Sequence, residues 1–210
     1  MLSNDLGSAW SPTPSIEKKR AIQTRLAQLG PQVALWAQDE TDLRLFPPLR
    51  KSWARRGQQA AVDIHGRNQK LVLFGGLNLR TGQRLLLPRR RQTAADFAQW
   101  LLLLRDHNGP GPLCVLPDEN ACHKAKDSTI QAAALGIELL SLPKRSPHLN
   151  PADHLWRWVK QSICSNRQDQ TVEALMRTVI SSLLELSPQE SLRKAGVLSP
   201  DFWLREVLSR

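Results

Sequence analysis

The hydrophobic pattern of this chain changes period once, near residue 93, and that change restricts the architecture more than any other feature. Before it come short apolar runs separated by turn residues. Val33 to Ala37 encloses Trp36, Leu43 to Phe46 closes on Pro47-Pro48, and Ala60 to Ile64, Leu71 to Leu77 and Leu85 to Leu87 follow, the last after a Thr81-Gly82 turn. Such runs read as strands of an antiparallel meander, the first two paired with each other. From Thr93 to Arg105, Ala94, Phe97, Ala98, Leu101 and Leu102 take up helical spacing, stopped by Gly109-Pro110-Gly111-Pro112. Leu113 to Leu116 then reads as a buried strand, Ala121 to Leu135 as a helix ending at Gly136, and Ile137 to Leu142 as the next strand. Alternating strands and helices signal parallel packing. The expectation is an α/β fold whose mixed sheet begins as an antiparallel meander, continues with parallel strands, and is flanked by helices.

Helices also stand at both ends. Ser15 to Leu29 carries a thin stripe of Ile16, Ile22, Leu26 and Leu29, stopped by Gly30. Thr171 to Leu186 places Val172, Leu175, Met176, Val179 and Leu183 on one face, and Ser187-Pro188-Gln189-Glu190 is a capping box for one more short helix. The expected division is a lead-in with its helix over 1–30, a core over 31–165 and a C-terminal helical extension over 166–210. A chain of 210 residues can bury one such core with appended helices.

Between the last expected strand and the next helix lies Leu142-Pro143-Lys144-Arg145-Ser146-Pro147-His148-Leu149-Asn150-Pro151-Ala152-Asp153. Its three prolines fix φ and bias the residues before them to extended geometry, so the loop is stiff. Asn150 reads as a helix cap, with Pro151 at the first helical position and Asp153 in the first turn. The same string is a capping box with Asp in place of Glu, a purely structural use of Asp153. A basic loop that delivers one acid onto a helix also suits a phosphate or a metal ion.

Charge narrows the partners. Against 19 Asp and Glu stand 29 Lys and Arg, a net charge of +10. Twenty of the cations are Arg, the side chain that grips phosphate in a bidentate fork. Nucleic acid is the first candidate partner of a globular domain that basic. Cys114, Cys122 and Cys164 are too few and too scattered for a disulfide framework or a zinc finger, which points to a reducing compartment. No secretory signal and no membrane-length apolar run is visible, so the expectation is a soluble intracellular protein.

Three acids occupy comparable places. Asp39 and Asp118 each follow an apolar run, and Asp153 lies on the helix after the stiff loop. Carboxylates converging at one sheet edge are hard oxygen ligands of the kind Mg²⁺ takes. Two such ions can activate water and stabilise a leaving oxygen in phosphodiester cleavage. Asp118 and Asp153 have 34 residues between them, which resembles the spacing of the last two acids in the Tc/mariner superfamily of DDE transposases. Asp39-Glu40-Thr41, Trp53-Ala54-Arg55-Arg56-Gly57, the Asp118 to His123 segment and Ser146 to Pro151, followed by Trp156 and Lys160, are similar in order and spacing to its bacterial insertion-sequence branch. The likeness runs from Val33 to Ile163.

The resemblance implies an RNase H-like fold and a transposase catalytic domain that cleaves DNA hydrolytically and transfers strands. It implies Asp39, Asp118 and Asp153 as ligands of two Mg²⁺ or Mn²⁺ ions, with Asp39 bridging. Glu40, Asn150 and Trp156 would support the site, and Arg89, Arg90, Arg91, Lys144, Arg145 and His123 would contact DNA. Trp53 would brace its loop. Implied partners are double-stranded element ends and target, a helix-turn-helix protein in trans and a second copy, in the bacterial cytoplasm with the nucleoid. Two departures stand out: Asp153 where that branch has Glu, and Glu119 directly after Asp118. The alternatives are a decayed or repurposed DNA-binding protein, and an RNase H-like nuclease without strand transfer.

Overall fold

A computed structural model describes residues 14–58 and 61–209; the lead-in over 1–13 lies outside the described residues. Its sheet holds five strands in the order β3-β2-β1-β4-β5. These are β1 (Ala34–Arg44), β2 (Lys70–Asn78), β3 (Arg84–Arg89), β4 (Leu113–Leu116) and β5 (Ile137–Leu139). β1, β2 and β3 pair antiparallel, whereas β4 runs parallel to β1 and β5 parallel to β4. The mixed sheet follows the change of period in the sequence.

Three expected strands are corrected. Val33–Ala37 and Leu43–Phe46 do not pair with each other; both fall in or beside the single eleven-residue β1. Buried Thr41 and Leu43 keep a two-residue alternation through the acidic stretch, so the strand does not end at Asp39. The run at 60–64 is no strand: residues 61–64 are irregular and largely exposed, and Ala60 lies outside the described residues.

Alternation also sorts the core. Leu35 and Ala37 of β1 pack with Leu116 against α1 (Pro14–Leu29) and the C-terminal segment. Leu43 and Leu73 pack against Trp156 and Val159 of α5 (Pro151–Ser162) and Met176 and Val179 of α6 (Val172–Glu185). Even-numbered Trp36, with Phe74 and Val115, meets Phe97, Trp100, Leu101 and Leu104 of α2 (Ala94–Asn108). Burying each such side chain contributes about 1.5–3 kcal/mol. Gly75 and Gly76 of β2 admit one tryptophan on each face: a Cβ at Gly75 would collide with the Trp156 ring, and one at Gly76 with the Trp100 ring.

The helix expected over 121–135 is broken at Ala125, whose ψ of 142° separates α3 (Ala121–Lys124) from α4 (Lys126–Ala134). The Ser128 hydroxyl donates to the Cys122 carbonyl at 2.6 Å, satisfying a group the break would strand. Although β5 ends at Leu139, the Leu142 N–H still donates to the Pro117 carbonyl at 2.8 Å, which holds the start of the stiff loop beside Asp118. Ser187 and Glu190 form the expected capping box at the head of α7 (Pro188–Lys194), and α8 (Arg205–Leu208) follows.

Candidate active site

Register brings the first two acids together. Parallel pairing sets Ala37 opposite Leu116, so Asp39 and Asp118, each two residues farther on, come level at one end of the sheet. β4 stops at Leu116 while β1 runs on, leaving Asp39 flanked on one side only, by Gly75 of β2. A residue within a strand thus lies at a notch in the sheet, where the connections diverge to either side, as ligand crevices of open α/β sheets do.

Capping brings the third. The Asn150 carbonyl oxygen accepts from the Ala152 N–H at 3.1 Å, and its amide donates to the Gln38 carbonyl at 3.1 Å. The head of α5 is therefore pinned to the residue before Asp39. The Asn150 N–H donates to Pro147, not to Asp153, so the reciprocal capping box is not formed. Instead Asp153 Oδ2 accepts from Arg157 Nη2 at 2.9 Å and Nε at 3.1 Å. Asp39, Asp118 and Asp153 line one cleft of about 410 Å³ with Glu40, Glu119, Lys144, Arg145 and the proline-rich loop. Trp156, three residues past Asp153, is buried over Gly75, the strand partner of Asp39.

The acids differ in how completely their oxygens are used. Glu40 is saturated: Oε1 accepts from Gln38 at 2.7 Å and His123 Nε2 at 2.9 Å, and Oε2 from Gln92 at 2.9 Å. Asp118 Oδ1 accepts from the Asn120 N–H at 2.9 Å and lies 2.8 Å from His123 Nδ1, which also meets the Asp118 backbone carbonyl at 3.2 Å. Glu119 pairs with Lys18 of α1 and, at 2.9 Å, with Lys124. Asp39 takes part in no ion pair among the described residues. Burial first, then the charges of Glu40, Asp118 and Asp153, push its carboxyl well above the ordinary range. Burial also works against the Asp118 charge, but the His123 and Asn120 hydrogen bonds outweigh it and lower its pKa.

His123 is corrected from a phosphate contact to an interior group. Its side chain is wholly enclosed, its ring 4.4 Å from that of Phe97, and both nitrogens face carboxylates. Burial opposes its charge, yet the bonds to Asp118, Cys122 and Glu40 push its pKa up to about 12. Glu40, Cys122 and His123 bring one ligand atom each within 4.8 Å of the others. A ring donating from both nitrogens has no lone pair for a metal, so this trio is a hydrogen-bond cluster.

The sequence profile of the DDE superfamily endonuclease family matches residues 34–176. The chain belongs to that family. It is 25% identical over 174 residues to the insertion element IS630 uncharacterized 39 kDa protein of Shigella sonnei, covering 82% of this chain and 51% of that protein. The chain thus spans about half the length of the curated relative it matches. The crystal structure of the catalytic domain of Mos1 mariner transposase superposes with a TM-score of 0.65 at 16% identity, covering 96% of this chain and 95% of that one. The mariner Mos1 paired end complex with Mg gives a TM-score of 0.68 at 19% identity, covering 100% of this chain and 67% of that one. The fold of this DDE-family chain is therefore RNase H-like, as the sequence implied.

The DDE-family core holds its basic residues unevenly. Lys144 and Arg145 are exposed and line the cleft, Arg145 at a left-handed φ of 57°. Arg89 is half-buried and paired with Asp96 at 3.2 Å, so it is corrected from a free DNA contact to a brace between β3 and α2. Arg90 and Arg91 are exposed and line no part of the cleft. Trp53 is fully exposed and braces nothing. Gln38, Gln92, Lys18 and Arg157 were not singled out from the sequence. Only Arg157 carried a readable signal, four residues after Asp153 on one helix face.

Proposed function

We propose that this chain is the catalytic domain of a DNA transposase, which cuts element ends by divalent-metal-dependent phosphodiester hydrolysis and joins the freed 3′ ends to target DNA. The observation that carries the reading is one basic-lipped cleft receiving Asp39 from β1, Asp118 from the end of β4 and Asp153 from the head of α5. The donor set fits Mg²⁺ or Mn²⁺: three carboxylates, with Asp118 Oδ2 and Asp153 Oδ1 outside the hydrogen bonds that occupy their partner oxygens. The mutual repulsion that raises the Asp39 pKa is what a dication there would relieve.

Asp39, Asp118 and Asp153 would hold the metal, two ions in this proposal, with Asp39 shared. When bound, such ions activate the attacking water or hydroxyl and stabilise the departing oxygen. Lys144 and Arg145, at the lip of the cleft, grip the phosphates on either side of the reacting bond. Arg157 holds one oxygen of Asp153 and leaves the other outside that contact. Lys18 and Lys124 draw Glu119 away from competition with Asp118. Asn150 keeps the Asp153 helix in step with the Asp39 strand.

The same proposal includes double-stranded element ends and target as substrates, a helix-turn-helix partner in trans, a homodimer, and a cytoplasmic, nucleoid-associated location; the likeness to a Mos1 transposase paired-end complex with left transposon end supports the DNA partner. No described helix is long and apolar enough to cross a membrane. We take 31–165 as the catalytic core, 1–30 as its lead-in, and 166–210 as a helical extension; α6 of that extension shares a hydrophobic cluster with α5 and the sheet.

The deciding experiment incubates the chain with DNA bearing the inverted repeats that flank its reading frame, with Mg²⁺ or Mn²⁺. Nicking and joining abolished by Asp39→Asn or Asp153→Asn is the expected result. Binding without cleavage would turn the reading into a DNA-binding protein, and cleavage without joining into a nuclease.

A further inference from the structure

Glu40 and His123 do none of the chemistry proposed above, yet both are polar, titratable side chains and both are enclosed. Burying a charge is unfavourable by several kcal/mol unless it is paired and hydrogen-bonded. Their pairing is complete. His123 Nε2 lies 2.9 Å from Glu40 Oε1, and Nδ1 lies 2.8 Å from Asp118 Oδ1 and 3.2 Å from the Asp118 backbone carbonyl oxygen, so the ring is held on both edges. Phe97 packs against the ring, and Glu40 is held in turn by Gln38 of its own strand and by Gln92 from the turn before α2. A ring fixed on these sides has one orientation.

Asp118 needs such a hold. It lies beyond the end of β4 on a loop, and its side chain is 46% exposed. Left alone it would sample several rotamers, and ordering it on metal binding would weaken affinity. His123 Nδ1 and the Asn120 N–H both bond Oδ1, which leaves Oδ2 as the oxygen outside these bonds. We propose that His123, held by Glu40, is a positioning residue that fixes the Asp118 carboxylate with Oδ1 tied and Oδ2 presented to the metal. This rests on the transposase reading of the cleft. Groups that orient metal ligands in this way affect affinity or activity about 10- to 100-fold when removed.

The test is Mn²⁺ binding to the full 210-residue chain, read by calorimetry and by the electron paramagnetic resonance spectrum of the bound ion, with thermal unfolding in parallel. His123→Gln retains one donor and loses the charge and the second N–H. It is expected to weaken Mn²⁺ binding about 10- to 100-fold and alter the spectrum. Asp118→Asn combined with His123→Gln is expected to bind no worse than Asp118→Asn alone, because His123 acts only through Asp118. A His123→Gln protein with a lower melting temperature but wild-type Mn²⁺ affinity and spectrum overturns the positioning role, as does an additive loss in the double variant. Should His123→Gln fail to fold, Glu40→Gln reads the same coupling: weaker Mn²⁺ binding supports it and unchanged binding overturns it. A wild-type chain that takes up no Mn²⁺ sinks the transposase reading and this inference with it. Wild-type binding that His123→Gln leaves intact sinks the inference alone.

Discussion

Asp39 and Glu40 are neighbours on one strand and carry the same functional group, yet they face different surroundings. Asp39 shares its face of β1 with Ala37 and Leu43, under α5, beside two more acids and with no cation paired to it among the described residues. Glu40 takes the opposite side, toward α2 and α3, where three donors use both its oxygens. Strand alternation separates the two roles, and the count of donors decides which carboxylate can accept a cation. The unsatisfied face is where ligand chemistry belongs; the satisfied face is where rigidity comes from.

The largest expected effect breaks the unsatisfied face. Asp39→Asn keeps shape and removes the carboxylate that has no counter-ion among the described residues, so metal-dependent DNA cleavage should fall to background while the fold persists or gains stability. Cleavage rates alongside thermal melts check both halves of this expectation. Glu40→Gln should act less strongly, lowering cleavage about 10- to 100-fold. Equal effects from the two substitutions would erase the distinction between the faces.

The fold was legible because its periods are clean: four of the five strands and most helices fall where the apolar runs put them. What failed has a physical reason in each case. Asp39-Glu40-Thr41-Asp42 reads as a strand end because charges rarely continue a strand, but the notch beside β4 opens Asp39 to the cleft while Glu40 is paired inside the fold, so β1 runs on unbroken. The site acids were legible through spacing and resemblance. Their partners were not, since nothing local in the sequence joins Gln92 to Glu40 across 52 positions or Lys18 to Glu119 across 101. His123 reads as a phosphate contact because the resemblance implies it and because the sequence places it near the start of a helix over 121–135. The Ala125 break makes this a separate turn whose Cys122 and His123 are buried, with His123 against Phe97 of α2.

The glycine pair extends the comparison to packing. Gly75→Ala would press on Trp156 and so push α5, which carries Asp153, away from the strand carrying Asp39. Gly76→Ala would press on Trp100 across the sheet. Each should destabilise by about 1–3 kcal/mol in chemical denaturation. Only Gly75→Ala should also weaken Mn²⁺ binding, since only it changes the separation of the acids. A matching loss from Gly76→Ala would mean that the two faces are mechanically one unit.

Next in size is the grip on DNA. Replacing Lys144 and Arg145 by Ala should flatten the dependence of log affinity on log salt by about two units, one for each phosphate no longer gripped. The same pair of changes at Arg90 and Arg91, exposed but outside the cleft, should flatten it less. The reverse order would place the DNA path along the β3–α2 turn instead of the proline-rich loop.

The smallest effect concerns Glu119, which joins neither face. Lys18 and Lys124 hold its pKa at about 2, below its ordinary 4.5, so its ion pairs add stability that is present above pH 4.5 and lost as pH falls toward 2. Both pairs are partly exposed, and water and salt screen them. Glu119→Gln should therefore melt slightly below wild type at neutral pH, and the gap should close on acidification through that window. If the gap instead holds steady down to pH 2, Glu119 contributes by packing and not by charge. The same variant leaves Lys18 and Lys124 without their acid beside Asp118. Tighter Mn²⁺ binding by Glu119→Gln would show that Glu119 competes for the metal, while slightly weaker binding would show that its carboxylate offsets the two lysines.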